Sequence, residues 1–594
     1  SITSDSWGLP GTWESSPVSD FSSGIVNPAT LAPNELSSGI TIRNTHNVTI
    51  GVAATADQIV VDAGGTLTQN ATLTLANGSG DDLTVNGAWI WTNGLLGNPG
   101  NAVISNTGTL NLTSVNAKWL GANLTNGGTM DWQDGVINFF SSATITNNAT
   151  WNITGMNTTS FGDSYGNVVN SGTITKSSSG NSDFAYVQTF TNNMGATINC
   201  NAGDLRMGGA GNPIFNNAGA LVFNGGMFTL NGNITFNYNT GTTVSGTGTF
   251  NNNGTLMLNI SAVFPSTMNV TSTTVITGVG NLTINSDFVI QNQILGPGLL
   301  TINGNSTWTF GTLDRLFTVN NSRTLTINTN NTKSLFKNLT NNGTIDWQDG
   351  TIAFYNSPVI TNNGLWNITG NNNTSLGNSY GNITNSSTGT ITKSSTGTTT
   401  FTYASPFNIS GTINFNGGTA AFGGLGTTTI TNTGALAFGG GAMIIQNGTT
   451  FNYNTGSTVS GAGAFTNNAS LQLNTDVVFP ASLVFANSAT INGPGNLTIN
   501  NDFTIQGQIT GPGIMTINAN STWISGSLYR FLTVDASKTL TINQNDHKYL
   551  GASLTNNGTM DWQAGNILFF NSPVITNTGL WTITTSSAFG AYNF

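Results

Sequence analysis

Charge is what this sequence has least of. Asp, Glu, Lys and Arg make up 6% of its 594 residues, against roughly 25% in an average soluble domain. Only two glutamates occur, Glu14 and Glu35. The twelve Lys and Arg are scattered singly under a net charge of −10, so the clustered basic face that nucleic-acid binding needs is missing. No apolar run reaches the length of a membrane-spanning helix. Cys200 is the single cysteine, which excludes an intramolecular disulfide framework and a cysteine metal cluster. Its setting, Ala196-Thr-Ile-Asn-Cys200, reads as a strand with an inert thiol facing inward. The two histidines, His46 and His547, allow no multi-histidine zinc site, and neither has the partners of a catalytic triad. Strong helix formers are scarce too, because Gly, Asn, Thr and Ser dominate.

What the chain has instead is repetition. Leu124-Thr-Asn-Gly-Gly-Thr-Met-Asp-Trp-Gln-Asp-Gly135 returns at 339–350 and again at 554–565. Asp131, Asp346 and Asp561 share a 215-residue interval, and so do Trp151, Trp366 and Trp581, and Lys118, Lys333 and Lys548. Self-similarity at a fixed period marks a repeat architecture. The copies run from about 117 to 331 and from 332 to 546, with a partial third over 547–594. Residues 66–116 read as the tail of an earlier copy. Lys176 and Lys393, in matching phrases, are spaced slightly wider than the period, so the copies drift a little.

Inside each copy a shorter rhythm runs. The phrase Asn-x-Gly-(Thr/Ala) followed by alternating apolar residues starts at Asn106, Asn126, Asn147 (with Ala for Gly), Asn170, Asn193 and Asn217. Steps of roughly 20–24 residues match one coil of a β-solenoid. Gly and Asn tolerate the left-handed backbone of a tight corner. Stacked Asn amides can hydrogen-bond up successive coils. Alternation directs Ile, Leu, Phe and Trp inward and Thr, Ser and Asn outward. The expectation is an all-β, right-handed parallel β-helix over residues 41–594. About 25 coils at roughly 4.8 Å each give a rod on the order of 120 Å long.

Residues 1–40 differ, holding Trp7, Trp13, both glutamates and Pro10, Pro17, Pro28 and Pro33. Proline is excluded from central strands, so this segment is expected to cap the first coil. Ser1-Ile-Thr-Ser-Asp carries neither initiator Met nor signal peptide, as in an exported protein after signal removal. At the other end, Ala588-Phe-Gly-Ala-Tyr-Asn-Phe594 has no capping composition, which points to a clipped chain or a partner on the last coil.

The best candidate for chemistry is a pair of carboxylates, Asp131 with Asp134, repeated as Asp346 with Asp349. In the third copy Asp561 is paired with Ala564. Asp131 shares the outer strand face with Gln133, and Asp134-Gly135 makes a turn. No Lys, Arg or further acid is near in sequence, so the pair reads as a structural corner, with a shallow ligand or calcium site as the alternative. Parallel β-helices also carry carbohydrate-cleaving acid pairs, the remaining option. No catalytic residue, cofactor site or metal site is assigned, and the chain is not expected to be an enzyme. Trp132, Trp347 and Trp562 fall on inward positions, as core and not as sugar platforms. Arg315 and Arg530 are expected to pack their stems and solvate their charges, with lateral association through that repeated positive spot as the alternative. Thr-x-Thr triplets, such as Thr144-Ile-Thr146 and Thr173-Ile-Thr175, suggest an ice-binding ladder only weakly, since many coils lack them. Sequons such as those at Asn47, Asn148 and Asn233 arise by composition alone.

The stretch from Trp13 through Ile40-Thr-Ile-Arg-Asn-Thr-His46-Asn-Val-Thr-Ile50 to Gly64-Gly-Thr-Leu-Thr68 resembles the opening of large exported surface proteins of gliding and biofilm bacteria. The remainder resembles filamentous-haemagglutinin and autotransporter-passenger solenoids. The resemblance implies an extracellular or cell-surface adhesin or matrix component and transfers no catalytic residue. Together these readings give an extracellular structural or adhesive rod that self-associates, head to tail or laterally, into a fibre. The alternatives are a carbohydrate-binding or carbohydrate-cleaving β-helix, with surface glycans as partners, and an ice-binding solenoid.

Overall fold

The computed structural model describes residues 1–76, 80–156, 158–584 and 589–591. It is a parallel β-solenoid of about 26 turns, 54% strand and 1% helix. Two compact units divide the chain: Ser1–Phe288 with Asn292–Leu299, and Val289–Gln291 with Leu300–Phe594. All but 589–591 of the closing phrase 588–594 lies outside the described residues.

In the first unit a typical coil has three short strands, such as Asn123–Asn126, Thr129–Trp132 and Val136–Phe139. Each pairs in parallel with its counterpart one coil later: Leu124 with Ile145, Met130 with Trp151, Ile137 with Phe161. Period-two alternation therefore stacks like upon like. Leu110, Met130, Trp151, Ile174 and Ile198 form one buried column. Thr109, Thr129, Thr150, Thr173 and Thr197 form the outward column beside it. Each buried Leu, Ile or Phe contributes about 1.5–3 kcal/mol relative to exposure.

The strand-ending asparagines belong to the inside. Asn126 follows inward Leu124 by two residues, so it too points inward and is fully buried. Its Nδ2 donates to Asn147 Oδ1 at 2.7 Å, and the pattern repeats through Asn170, Asn192 and Asn217, each step 2.7 Å. The second unit has the same ladder through Asn341, Asn362 and Asn385. The amide ladder thus runs through the core edge, where bulk water does not compete for its hydrogen bonds.

Residues 1–39 lie against the first coils of the first unit. Asp5 and Ser6 pair in parallel with Val48 and Thr49. Trp7 and Trp13 are buried edge to face, with centroids 5.1 Å apart, and Glu14 forms an ion pair with Arg43.

Coil length varies more than the phrase spacing suggested. A short coil brings Ile514 beside Phe531, whereas a long one separates Leu365 from its partner Thr390. Corners absorb the difference. Where corners vanish, the strand runs on: Thr243–Asn252 and Thr458–Asn467 bend without a loop. The bends hold Gly246 and Gly461, both at positive φ, where a Cβ would crowd the carbonyl oxygens of Phe223 (1.9 Å) and Phe438 (2.0 Å).

The long repeat is not a whole number of coils. In the second unit, one column runs from Thr332–Leu335 on to Thr351–Phe354, Thr374–Leu376 and Thr398–Phe401. The adjoining column passes through Leu339–Asn341 and climbs from there, in ten parallel pairings, to Lys548–Leu550. Lys548 is the repeat counterpart of Lys333, yet it stands in the column of Leu339–Asn341. The copy therefore advances ten coils and one further strand. Within this unit, equivalent residues of successive copies face different sides of the solenoid.

Candidate functional site

The aspartate pairs sit at the corner between two strands, Thr129–Trp132 and Val136–Phe139 in the first copy. Asp131 Oδ2 accepts from Gln133 Nε2 at 2.9 Å and Oδ1 from Thr154 Oγ1 at 2.6 Å, one coil on. Asp346 is held in the same way by Gln348 Nε2 at 2.7 Å and Thr369 Oγ1 at 2.5 Å. Asp134 Oδ1 accepts the Gly135 N–H at 2.8 Å, and Asp349 Oδ1 the Gly350 N–H at 2.7 Å. Asp349 Oδ2 also accepts from Asn372 Nδ2 at 2.8 Å. These carboxylates are engaged with the coil and with the coil above. Among the described residues no group of three or more His, Cys, Asp or Glu is placed to hold a metal ion.

Stacking supplies what sequence proximity did not. Lys118 is fully buried, and its Nζ donates to the carbonyls of Ser114 (2.6 Å), Asn116 (3.0 Å) and Asp134 (3.2 Å). Lys333 repeats this with Thr329, Asn331 and Asp349 (2.5, 3.0 and 3.4 Å), and Lys548 with Gln544 and Asp546 (2.6 and 3.0 Å). Burial pushes the Lys118 and Lys333 amines down to about 8, partly countered by Asp134 and Asp349. A cation therefore does stand at the aspartate corner, but under it, closing the backbone turn. The signal available in sequence was the shared 215-residue interval of the lysines and aspartates.

The arginines correct an expectation. Arg315 and Arg530 are buried, not solvated at their tips. Arg530 Nη1 and Nη2 donate to the Gly495 and Gly493 carbonyls at 2.6 Å each, and Nε to Thr510 at 3.1 Å. The Gly-Pro-Gly corner leaves carbonyls uncovered in the core, and a planar guanidinium satisfies several at once. Burial of both arginines removes the positive spot considered for lateral association.

Other candidates fall where alternation put them. Trp132, Trp347 and Trp562 are core residues, and Cys200 is buried with its thiol pKa raised by desolvation. Beside the threonine column of the first unit stands a mixed column, Asn111, Asp131, Asn152, Thr175 and Asn199. The double threonine row of an ice ladder does not form there. His46 Nδ1 lies 2.9 Å from Ser1 Oγ, beside an open hollow of about 750 Å³ lined by residues that include Glu14, Arg43 and Asp62.

A repeated aromatic series escaped sequence reasoning altogether. Phe140, Tyr355 and Phe570 share the 215-residue interval, and Tyr165 with Tyr380 does as well. Each follows the equivalent strand of its own copy, and Phe140, Tyr165 and Tyr380 are 39–46% exposed.

No family model matches the chain, and no curated protein matches it significantly. The fold and these side chains are therefore what carries a functional reading.

Proposed function

We propose that the protein is an extracellular structural or adhesive rod whose copies associate into a larger surface or matrix assembly. The observation that supports this most directly is how the polar interior is used. The buried Asn ladder, Lys118, Lys333 and Arg530 bind the coil above or below, so their hydrogen bonds hold one coil on the next. Such bonds run along the stack and favour a protein that works through its length. Low charge and a Thr- and Asn-rich outer surface suit the space outside the cell. Self-association has support in the coils themselves, because each offers its neighbour the same parallel ladder of N–H and C=O groups.

Negative-stain microscopy of the purified chain tests the proposal. Rods that lengthen or gather as concentration rises are expected. Compact globules, or rods that stay separate at every concentration, would overturn it.

A further inference from the structure

Tyrosine is distributed in this protein in a way that packing does not explain. Of the ten tyrosines, Tyr238 and Tyr453 are buried. Seven others stand at or beside the corner that, within each copy, follows the lysine-bearing strand and its column. In the second copy that corner carries an aromatic residue on four successive coils. Phe336 and Tyr355 stack with centroids 4.5 Å apart and planes 6° apart. Asn378 Nδ2 donates to Tyr355 Oη at 2.7 Å, and Tyr380 meets Tyr403 at 5.6 Å, nearly perpendicular. The first copy pairs Tyr165 with Tyr186 at 5.8 Å. The third places Phe570 5.6 Å from Tyr549 and 6.3 Å from Tyr529. Individual positions change between copies, as Phe336 is replaced by Gly551, yet each copy keeps an aromatic cluster at the corner.

We propose that these corners bind a neutral polysaccharide chain, a reading that rests on the adhesive part of the proposed function. A tyrosine ring offers an apolar face and a polar hydroxyl edge, which complements a sugar ring with one face of C–H groups and a rim of hydroxyls. The polar neighbours in the second copy, Asn356, Ser357, Asn378 and Ser379, are uncharged donors and acceptors. The nearby charges Lys337 and Asp314 oppose each other at 3.9 Å. A net charge of −10 repels polyanions, so the occupant is neutral. Four coils at roughly 4.8 Å extend about 14 Å, room for several linked sugars and more than a monosaccharide needs. The one-strand offset of the long repeat places the second- and third-copy clusters on different sides of the second unit. Separate polysaccharide strands can then be held by one protein chain, each weak contact reinforced by the others.

Native electrophoresis through gels containing single polysaccharides tests this with the full chain. The neutral gels contain a β-glucan, a galactomannan or a xylan; the anionic ones contain alginate or polygalacturonate. Retardation on at least one neutral gel is expected, weakened several-fold by Tyr380→Ala and abolished when Tyr165→Ala, Tyr380→Ala and Tyr549→Ala are combined. The corresponding triple Tyr→Phe variant should keep at least half of the retardation, since the ring and not the hydroxyl supplies the stacking face. Circular dichroism establishes that the variants are folded. Free migration on every neutral gel, retardation of the triple alanine variant equal to the parent, or retardation by the anionic gels alone would overturn the inference. Rods on the microscope grid without retardation would leave the structural reading standing and remove this one.

Discussion

Lys118 Nζ donates to the backbone carbonyl of Asp134 at 3.2 Å, sixteen residues away in sequence and one coil away in space. The same relation joins Lys333 to Asp349. It makes the aspartate corner a closed structural joint with a cation inside, and its thermodynamics can be measured.

Burial holds the amines of Lys118, Lys176 and Lys333 at about 8, below the ordinary 10.5. Between those values the folded chain binds fewer protons than the unfolded one, so stability rises with pH across that window, and the penalty is present in full below it. The thiol of Cys200 works the other way, since it ionises only in the unfolded chain above about pH 8.5. Thermal midpoints should therefore climb from about pH 8 towards pH 10, Cys200 offsetting only part of the lysine effect. Lys333→Met should flatten the climb, and a falling profile in the parent would refute this account.

Asn147 occupies the middle of the buried amide ladder, accepting from Asn126 and donating to Asn170. Asn147→Leu keeps the volume but leaves Asn170 Oδ1 without that donor. A loss of about 1–3 kcal/mol is expected. Hydrogen exchange should quicken on the strands Asn123–Asn126, Thr144–Asn147 and Gly166–Asn170 while distant coils stay protected.

Arg530 ties together carbonyls from two earlier coils. A lysine has no planar fork and cannot reach all three. Arg530→Lys should cost about 1–3 kcal/mol, with Arg530→Met at least as harmful. Limited proteolysis near Gly493 and Gly511 would report the loosening; unchanged cleavage would show that the clamp is dispensable.

Both oxygens of Asp346 are already engaged, by Gln348 and Thr369. Asp346→Asn should thus cost no more than about 1.5 kcal/mol, and millimolar calcium should leave the melting temperature of the parent unchanged. A calcium-dependent rise that disappears in Asp346→Asn would instead establish the shallow cation site.

Gly461 bends a continuous strand at positive φ, with the Phe438 carbonyl where a Cβ would go. Gly461→Ala should destabilise by about 1–3 kcal/mol and raise exchange along Thr458–Asn467. A silent substitution would mean that the bend can shift.

Coil, core and ladder were legible in the sequence because each depends on local rules. Alternation placed Trp132 and Cys200 inside, and the recurring Asn-x-Gly phrase announced the corners. Alternation would also have placed Asn126 inside, two residues after Leu124, had polarity not suggested the surface. The burial of Lys118 and Arg530 was not legible. Their partners are backbone carbonyls, which every residue has, so no side-chain pattern advertises them. The aromatic corner was hidden for another reason: Phe140, Tyr165 and Tyr186 are widely separated in sequence and become neighbours only when coils stack.

By itself the sequence determined that the chain winds into parallel coils, because alternating apolar residues and left-handed corners leave few other ways to bury the one and accommodate the other. It also determined the 215-residue period. Tertiary structure alone decided where that period points. Coils change length at their corners, from the short one that joins Ile514 to Phe531 to the long one that joins Leu365 to Thr390. In the second unit the sum of those changes carries the repeat one strand beyond a whole number of turns. Orientation around the axis is an accumulated property of many corners, and no single stretch of residues encodes it.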